Sequence, residues 1–209
     1  MPTAAPFERH TERYDQWFED HRDAYRSELA ALRRLVPEGG RGLAVGVGTG
    51  RFAAPLDIGV GLDPARAPLE RARERGVEVT RGVAEHLPFG DDAFDTVLVV
   101  TTVCFVDDIP RMLAEADRVL AASGRLVVGY VDRESPLGRV YQEHKDENPF
   151  YREATFVTTD ELRDELAAAG FKDTAFVQTI YRPLGEIDGH EPVEEGYGDG
   201  SFVAVRARR

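Results

Sequence analysis

Leu43-Ala44-Val45-Gly46-Val47-Gly48-Thr49-Gly50-Arg51-Phe52 decides the architecture of this chain. An apolar, strand-like run over 42–47 breaks into glycines spaced G-x-G-x-G, and a short helical stretch to about Leu56 follows. Glycine reaches positive φ and lets the backbone approach a ligand closely. A second apolar run, 58–62, ends at Asp63-Pro64, with Asp63 seventeen positions after Gly46. In open α/β sheets such a turn lies at the carboxyl edge, beside the point where strand order reverses. An acid at the end of the next strand can accept hydrogen bonds from ribose hydroxyls. The two features together favour an adenosine-containing ligand. The dinucleotide fingerprint G-x-G-x-x-G would need glycine at 51, where Arg51 stands, which argues against a nicotinamide-dependent oxidoreductase. No G-x-x-x-x-G-K run exists, so a P-loop is excluded.

Strand-like and helix-like stretches alternate outward from this turn, as in an α/β fold with a parallel sheet. Before it, Tyr14, Trp17, Phe18, Tyr25, Leu29, Leu32 and Leu35 recur at helical spacings, and Pro37-Glu38-Gly39-Gly40 ends the run. One or two helices are expected there, as an N-terminal cap over residues 1–40. After it, a helix is expected over 65–75, with Gly76 as its C-terminal cap, and a short strand over 77–80. The run 95–101 is apolar nearly throughout, as befits a central strand covered on both faces. A helix over 108–120 and a fifth strand over 124–130 follow. Residues 131–158 read as a partly helical insertion. A helix opening at 159, capped by Thr158 or Thr159 and ended by Gly170, precedes two final strands over 171–179 and 201–207. The intervening segment 182–200 reads as a loop.

The chain has 209 residues, which suits one α/β domain with a full core. No apolar run approaches the roughly eighteen residues that span a bilayer, and the first residues lack the pattern of a signal peptide. Cys104 is the only cysteine, which excludes an intrachain disulfide and a multi-cysteine metal site. A cytoplasmic location is the default expectation. The net charge is −12, yet Lys145 and Lys172 are the only lysines. Such a surface suggests a salt-loving source, since carboxylates hold water and cations well when salt screens their repulsion. A GC-rich genome, which favours arginine codons, is the alternative. An acidic surface without a basic stripe repels phosphate backbones, so a nucleic-acid partner is not expected; nor is a membrane.

The opening stretch resembles motif I of class I S-adenosylmethionine-dependent methyltransferases, and is similar in particular to their type 11 subgroup. The likeness continues through Gly61-Leu62-Asp63-Pro64, Gly82-Val83-Ala84-Glu85-His86-Leu87-Pro88-Phe89 and Phe94-Asp95. Further on, Arg118-Val119-Leu120 and Ser123-Gly124-Arg125-Leu126 resemble the segment before the family's fifth strand. The resemblance implies one doubly wound, mostly parallel, seven-stranded Rossmann-like domain over 1–209 with its last strand antiparallel. It also implies S-adenosylmethionine as cofactor and a monomer or homodimer acting on a small-molecule acceptor by in-line displacement. The backbone at Gly46, Val47, Gly48 and Thr49 would pass under the methionine and ribose. Asp63, with Pro64, would grip the ribose. Ala84 and Glu85 would sit beside the adenine, and Thr101 near the transferring methyl. Tyr14 and Trp17 would close over the cofactor.

The family usually has an acid where this chain has Ala44, and Asp where it has Val83. Each lost contact is worth roughly 1–3 kcal/mol. A catalytically silent S-adenosylmethionine-binding regulator or partner subunit is therefore the second class to weigh. Acceptor residues in this fold usually come from the N-terminal helices and the segment after strand five. There the chain offers Asp132, Arg133, Tyr141, His144 and Tyr151. Tyr141 and Tyr151 could line an acceptor pocket, and His144 could act as a base near neutral pH. Each has a plainer reading: packing for the tyrosines, a solvated side chain for His144 and an ion pair for Asp132 with Arg133. His86 reads as exposed and Cys104 as a buried, inert thiol.

Overall fold

The computed structural model describes residues 4–209; Met1–Thr3, the start of the expected cap, lie outside the described residues. Three helices come first, α1 (Ala5–Arg9), α2 (Thr11–Asp20) and α3 (Arg22–Leu35). The cap is thus more broken than expected. His10 and His21 leave the helical region, with φ of −125° and −118°, and each turns the chain. Then follow β1 (Gly42–Val45), β2 (Val60–Asp63), α4 (Arg66–Glu74), β3 (Glu78–Arg81), β4 (Phe94–Val100), α5 (Ile109–Val119) and β5 (Leu120–Val131). The chain closes with α6 (Pro136–Glu143), α7 (Thr159–Ala168), β6 (Lys172–Thr179), β7 (Glu194–Glu195) and β8 (Phe202–Arg208).

The strands form one sheet in the order β3-β2-β1-β4-β5-β8-β6-β7. β1 pairs in parallel with β2 and β4, and β4 with β5; β8 is antiparallel to both β5 and β6. The expected seven strands and the antiparallel last strand are present. The eighth, β7, is two residues of the expected loop that pair with β6 and cover its open edge.

The central strands are apolar at consecutive positions because both faces are covered. Val97 and Val99 pack with Met112 and Leu113 of α5 and with Leu162 and Leu166 of α7. Leu98 and Val100 point the other way, toward Leu29 and Leu32 of α3. Two caps fix the ends of the insertion. Ser135 accepts from the amide of Gly138 to start α6. Thr158 and Glu161 form a reciprocal capping box at the start of α7. Arg118 donates to the carbonyls of Leu87 and Phe89 and pairs with Glu115 and Asp91, so the helix before β5 pins the loop that follows β3. Its guanidinium holds the Glu115 carboxyl down to about 2.

The N-terminal cap is fastened to the sheet at one carboxylate. Asp15 of α2 accepts from Arg51 at 3.0 and 2.8 Å, from Arg75 at 2.8 Å and from the hydroxyl of Thr49 at 2.7 Å. Partial burial pulls this carboxyl upward, but those hydrogen bonds outweigh it and hold it below the usual carboxylate range. Removing one member of such a cluster strands the others. Asp15→Ala is expected to lower stability by about 2–4 kcal/mol in urea denaturation. Hydrogen exchange should show α2 opening well before the sheet.

Candidate functional site

The turn after β1 is drawn against the end of β2. The carbonyl of Leu62 accepts from the amides of both Gly46 and Val47, at 2.8 and 2.9 Å. Asp63 then takes the Gly48 amide on Oδ2 and the Ala65 amide on Oδ1, each at 2.9 Å. Gly46 and Gly48 have φ of +69° and +52°, a region that favours glycine. A Cβ on Gly46 would also come within 2.2 Å of Thr102 Oγ1. Burial pushes the Asp63 carboxyl up to about 6, against the pull of its two amide bonds.

A cavity of about 240 Å³ opens at this carboxyl edge of the sheet, beside the reversal of strand order between β1 and β4. Tyr14, Trp17, Gly46, Gly48, Asp63, Pro64, Ala84, Glu85, Thr101, Tyr141 and Tyr151, all singled out from the sequence, line it. Val47 and Thr49 do not. Val47 turns into the core against Gly61, and the hydroxyl of Thr49 is taken by Asp15. Thr101 carries a φ of +49° at the mouth of β4, strain of the kind that collects at functional sites. Ala44 is buried in the core, beside a hollow of about 20 Å³ under the glycine turn. Val83 lines the main cavity.

Aromatic rings roof it. Phe7 of α1 packs edge-on against Tyr14 at 5.4 Å and against Phe105 at 5.1 Å, and touches Phe150 at 5.2 Å. The far wall holds Tyr141 and Tyr151, with ring centroids 4.7 Å apart, and Phe156, 5.5 Å from Tyr151. His144 is a correction to the sequence expectation. It stands exposed past the end of α6, its ring against the Val140 carbonyl at 3.1 Å, away from the cavity. Asp132 and Arg133 do not pair with each other. Asp132 accepts from the amide and hydroxyl of Thr159, and Arg133 reaches Glu161 at 2.6 Å. The Cys104 thiol borders the cavity, pushed up to about 12 by burial. His86 is exposed.

Several cavity residues escaped the sequence expectations, among them Phe7, Arg13, Phe105, Asn148, Phe150 and the buried acid Glu28. Glu28 of α3 is only 4% exposed and reaches the cavity wall. The signal was present: α3 has an apolar stripe through Ala24, Ala31 and Leu35, and position 28 of that stripe holds an acid. Burial pushes its carboxyl up to about 8. A carboxyl raised on folding binds more protons in the folded than in the unfolded state between about pH 4.5 and 8, so it withdraws stability as pH climbs through that window. Glu28→Gln removes this loss. Relative to the variant, the wild type should lose on the order of 4 kcal/mol between pH 5 and pH 9 in urea titrations.

Residues 43–128 match the Methyltransferase domain family. The chain is 41% identical over 203 residues to an uncharacterized protein of Methanocaldococcus jannaschii, which covers 97% of this chain and 98% of that one. A ubiquinone biosynthesis O-methyltransferase of Azorhizobium caulinodans is 30% identical over 174 residues, 75% of this chain and 68% of the relative. The crystal structure of a SAM-dependent methyltransferase of Thermotoga maritima, described as a possible histamine N-methyltransferase, superposes with a TM-score of 0.95 at 50% identity and covers 98% of each chain. The chain belongs to the S-adenosylmethionine-dependent methyltransferases, on their Rossmann-like fold, and its cofactor is S-adenosylmethionine.

Proposed function

We propose that this enzyme methylates a small-molecule acceptor held in the aromatic half of the cavity, in line with a cofactor held in the other half. The observation that carries this is the continuity of one cavity from Asp63 to Tyr141 and Tyr151 under a roof of aromatic rings. The residues at the Asp63 end fit an adenosyl group. Each Asp63 oxygen gives one lone pair to an amide and keeps another for a ribose hydroxyl. Leu62, Val83 and Ala84 offer an apolar slot for a flat base. The glycine cradle at 46–48 leaves room for the methionine portion, without the acid that Ala44 replaces.

Bound S-adenosylmethionine supplies a methyl group already activated on a sulfonium. The protein's own task is to place the acceptor and exclude water, and proximity and orientation supply most of the acceleration. Tyr14 and Trp17 cover the cofactor half, and the knot at Asp15 holds their helix in place. Phe7 and Phe150 close the roof between the halves. The enclosed volume suits a small acceptor better than a folded macromolecule. The acid-rich surface further supports a partner other than nucleic acid and a salt-adapted source, and we read the whole chain as one domain.

Titration calorimetry of the protein in salt with S-adenosylhomocysteine tests this. Micromolar binding is expected, weakened at least tenfold by Asp63→Ala. A folded wild type that fails to bind would overturn the proposal. Protonation of Asp63 removes its charge and turns one of its two accepting oxygens into a donor, and its value of about 6 sets the pH response. Affinity should be flat above pH 7 and fall about tenfold by pH 5, a loss of about 1.4 kcal/mol.

A further inference from the structure

Glu28 differs from the other buried acids. Glu115 is paired with Arg118 and accepts from the Leu87 amide; Glu191 is paired with Arg182 and accepts from the Tyr181 amide. Asp63 has its two backbone amides. Among the described residues, no side chain or amide donates to the Glu28 carboxyl and no cation pairs with it; burial alone sets its protonation. The titratable groups that face it are four tyrosines: Tyr14 from α2, Tyr25 from its own helix, Tyr141 from α6 and Tyr151 from the segment that follows. Burial pushes each of these phenols up as well, so none carries charge near neutral pH. The rings of Tyr141 and Tyr151 pack on each other, with centroids 4.7 Å apart. A buried carboxyl without a partner is costly. This one touches the cavity, so a ligand can supply what the protein does not.

We propose that Glu28 is the recognition group for a basic amine acceptor, whose ammonium pairs with the carboxylate while its apolar body lies among Tyr14, Tyr141, Tyr151 and Phe156. This rests on the methyl-transfer function proposed above. Aromatic faces attract a cation as well as an apolar body. A carboxylate or phenolate acceptor would be repelled at this position. The acid also suits the chemistry, because an ammonium has no lone pair to give. The ammonium proton moves to the Glu28 carboxylate. The freed nitrogen lone pair then forms the new N–C bond as the S–C bond of the sulfonium breaks, with that electron pair staying on sulfur. The methylated amine leaves with the positive charge, and Glu28 returns its proton to solvent.

The test uses the full chain saturated with S-adenosylhomocysteine, titrated with phenethylamine and with its neutral isostere 2-phenylethanol. The wild type should bind the amine at least tenfold more tightly than the alcohol. At pH 7 Glu28 and the amine each arrive protonated and share one proton once bound, so calorimetry in buffers of different ionisation enthalpy should record release of about one proton. By pH 9 the release should disappear. Glu28→Gln should bind S-adenosylhomocysteine within about threefold of wild type yet lose the preference for amine. The preference and the proton release are read on the wild type, so the proposal does not hang on the variant folding. Equal binding of amine and alcohol, or no proton release, would overturn the Glu28 assignment alone. Loss of S-adenosylhomocysteine binding in a folded Glu28→Gln would also overturn it, by moving the acid to the cofactor half. Failure of the wild type to bind S-adenosylhomocysteine would overturn both proposals.

Discussion

The end of β2 holds the turn after β1, and the rest of the site hangs on that junction. The Leu62 carbonyl takes two successive amides and the Asp63 carboxylate takes the third, so the backbone at 46–48 can only curl back over the sheet edge. That curl demands positive φ, and glycine supplies it. It also leaves a hollow above the strands, because no side chain rises from 46 or 48. Thr102 presses into the gap from one side and Tyr14 from the other. The same carboxylate that shapes the turn faces the cavity, so architecture and the proposed ligand contact share one residue.

A second fastening works from outside. Arg51 occupies the place where a dinucleotide-binding turn would continue with glycine, and here it reaches back to Asp15 and Glu19 of α2. Arg75, at the end of α4, joins the same carboxylate. The turn, the helix after β2 and the cap therefore meet at a single acid. The cavity's lid is anchored by charge at one end and by packed rings, Phe7 tilted against Phe150, at the other.

Much of this was legible in the sequence because it depends on local rules. Strand runs, glycine spacing and the acid at 63 follow from backbone conformation and burial, which neighbouring residues determine. The antiparallel last strand and most of the cavity wall around Asp63 came from the same source together with the family resemblance. Long-range contacts were harder to see. Thr49 looked like part of the ligand turn, but its hydroxyl is taken by an acid 34 residues earlier. His144 had the right chemistry in the right segment, yet α6 turns it to solvent. The two-residue β7 carries no periodicity of its own and exists because β6 needs an edge partner. Glu28 lay unread on an apolar helical stripe, since nothing nearby in sequence says that the stripe borders a cavity.

Trp17 is the only tryptophan in the chain, and it stands on the cavity wall, stacked on His21 at 4.8 Å. The intrinsic emission of this protein therefore originates from one indole at the site itself. Displacement of water from the cavity, or movement of α2 away from it, changes the polarity that this indole senses. The enzyme thus carries its own optical gauge of the cap, with no background from a second fluorophore of that kind and no need of a label.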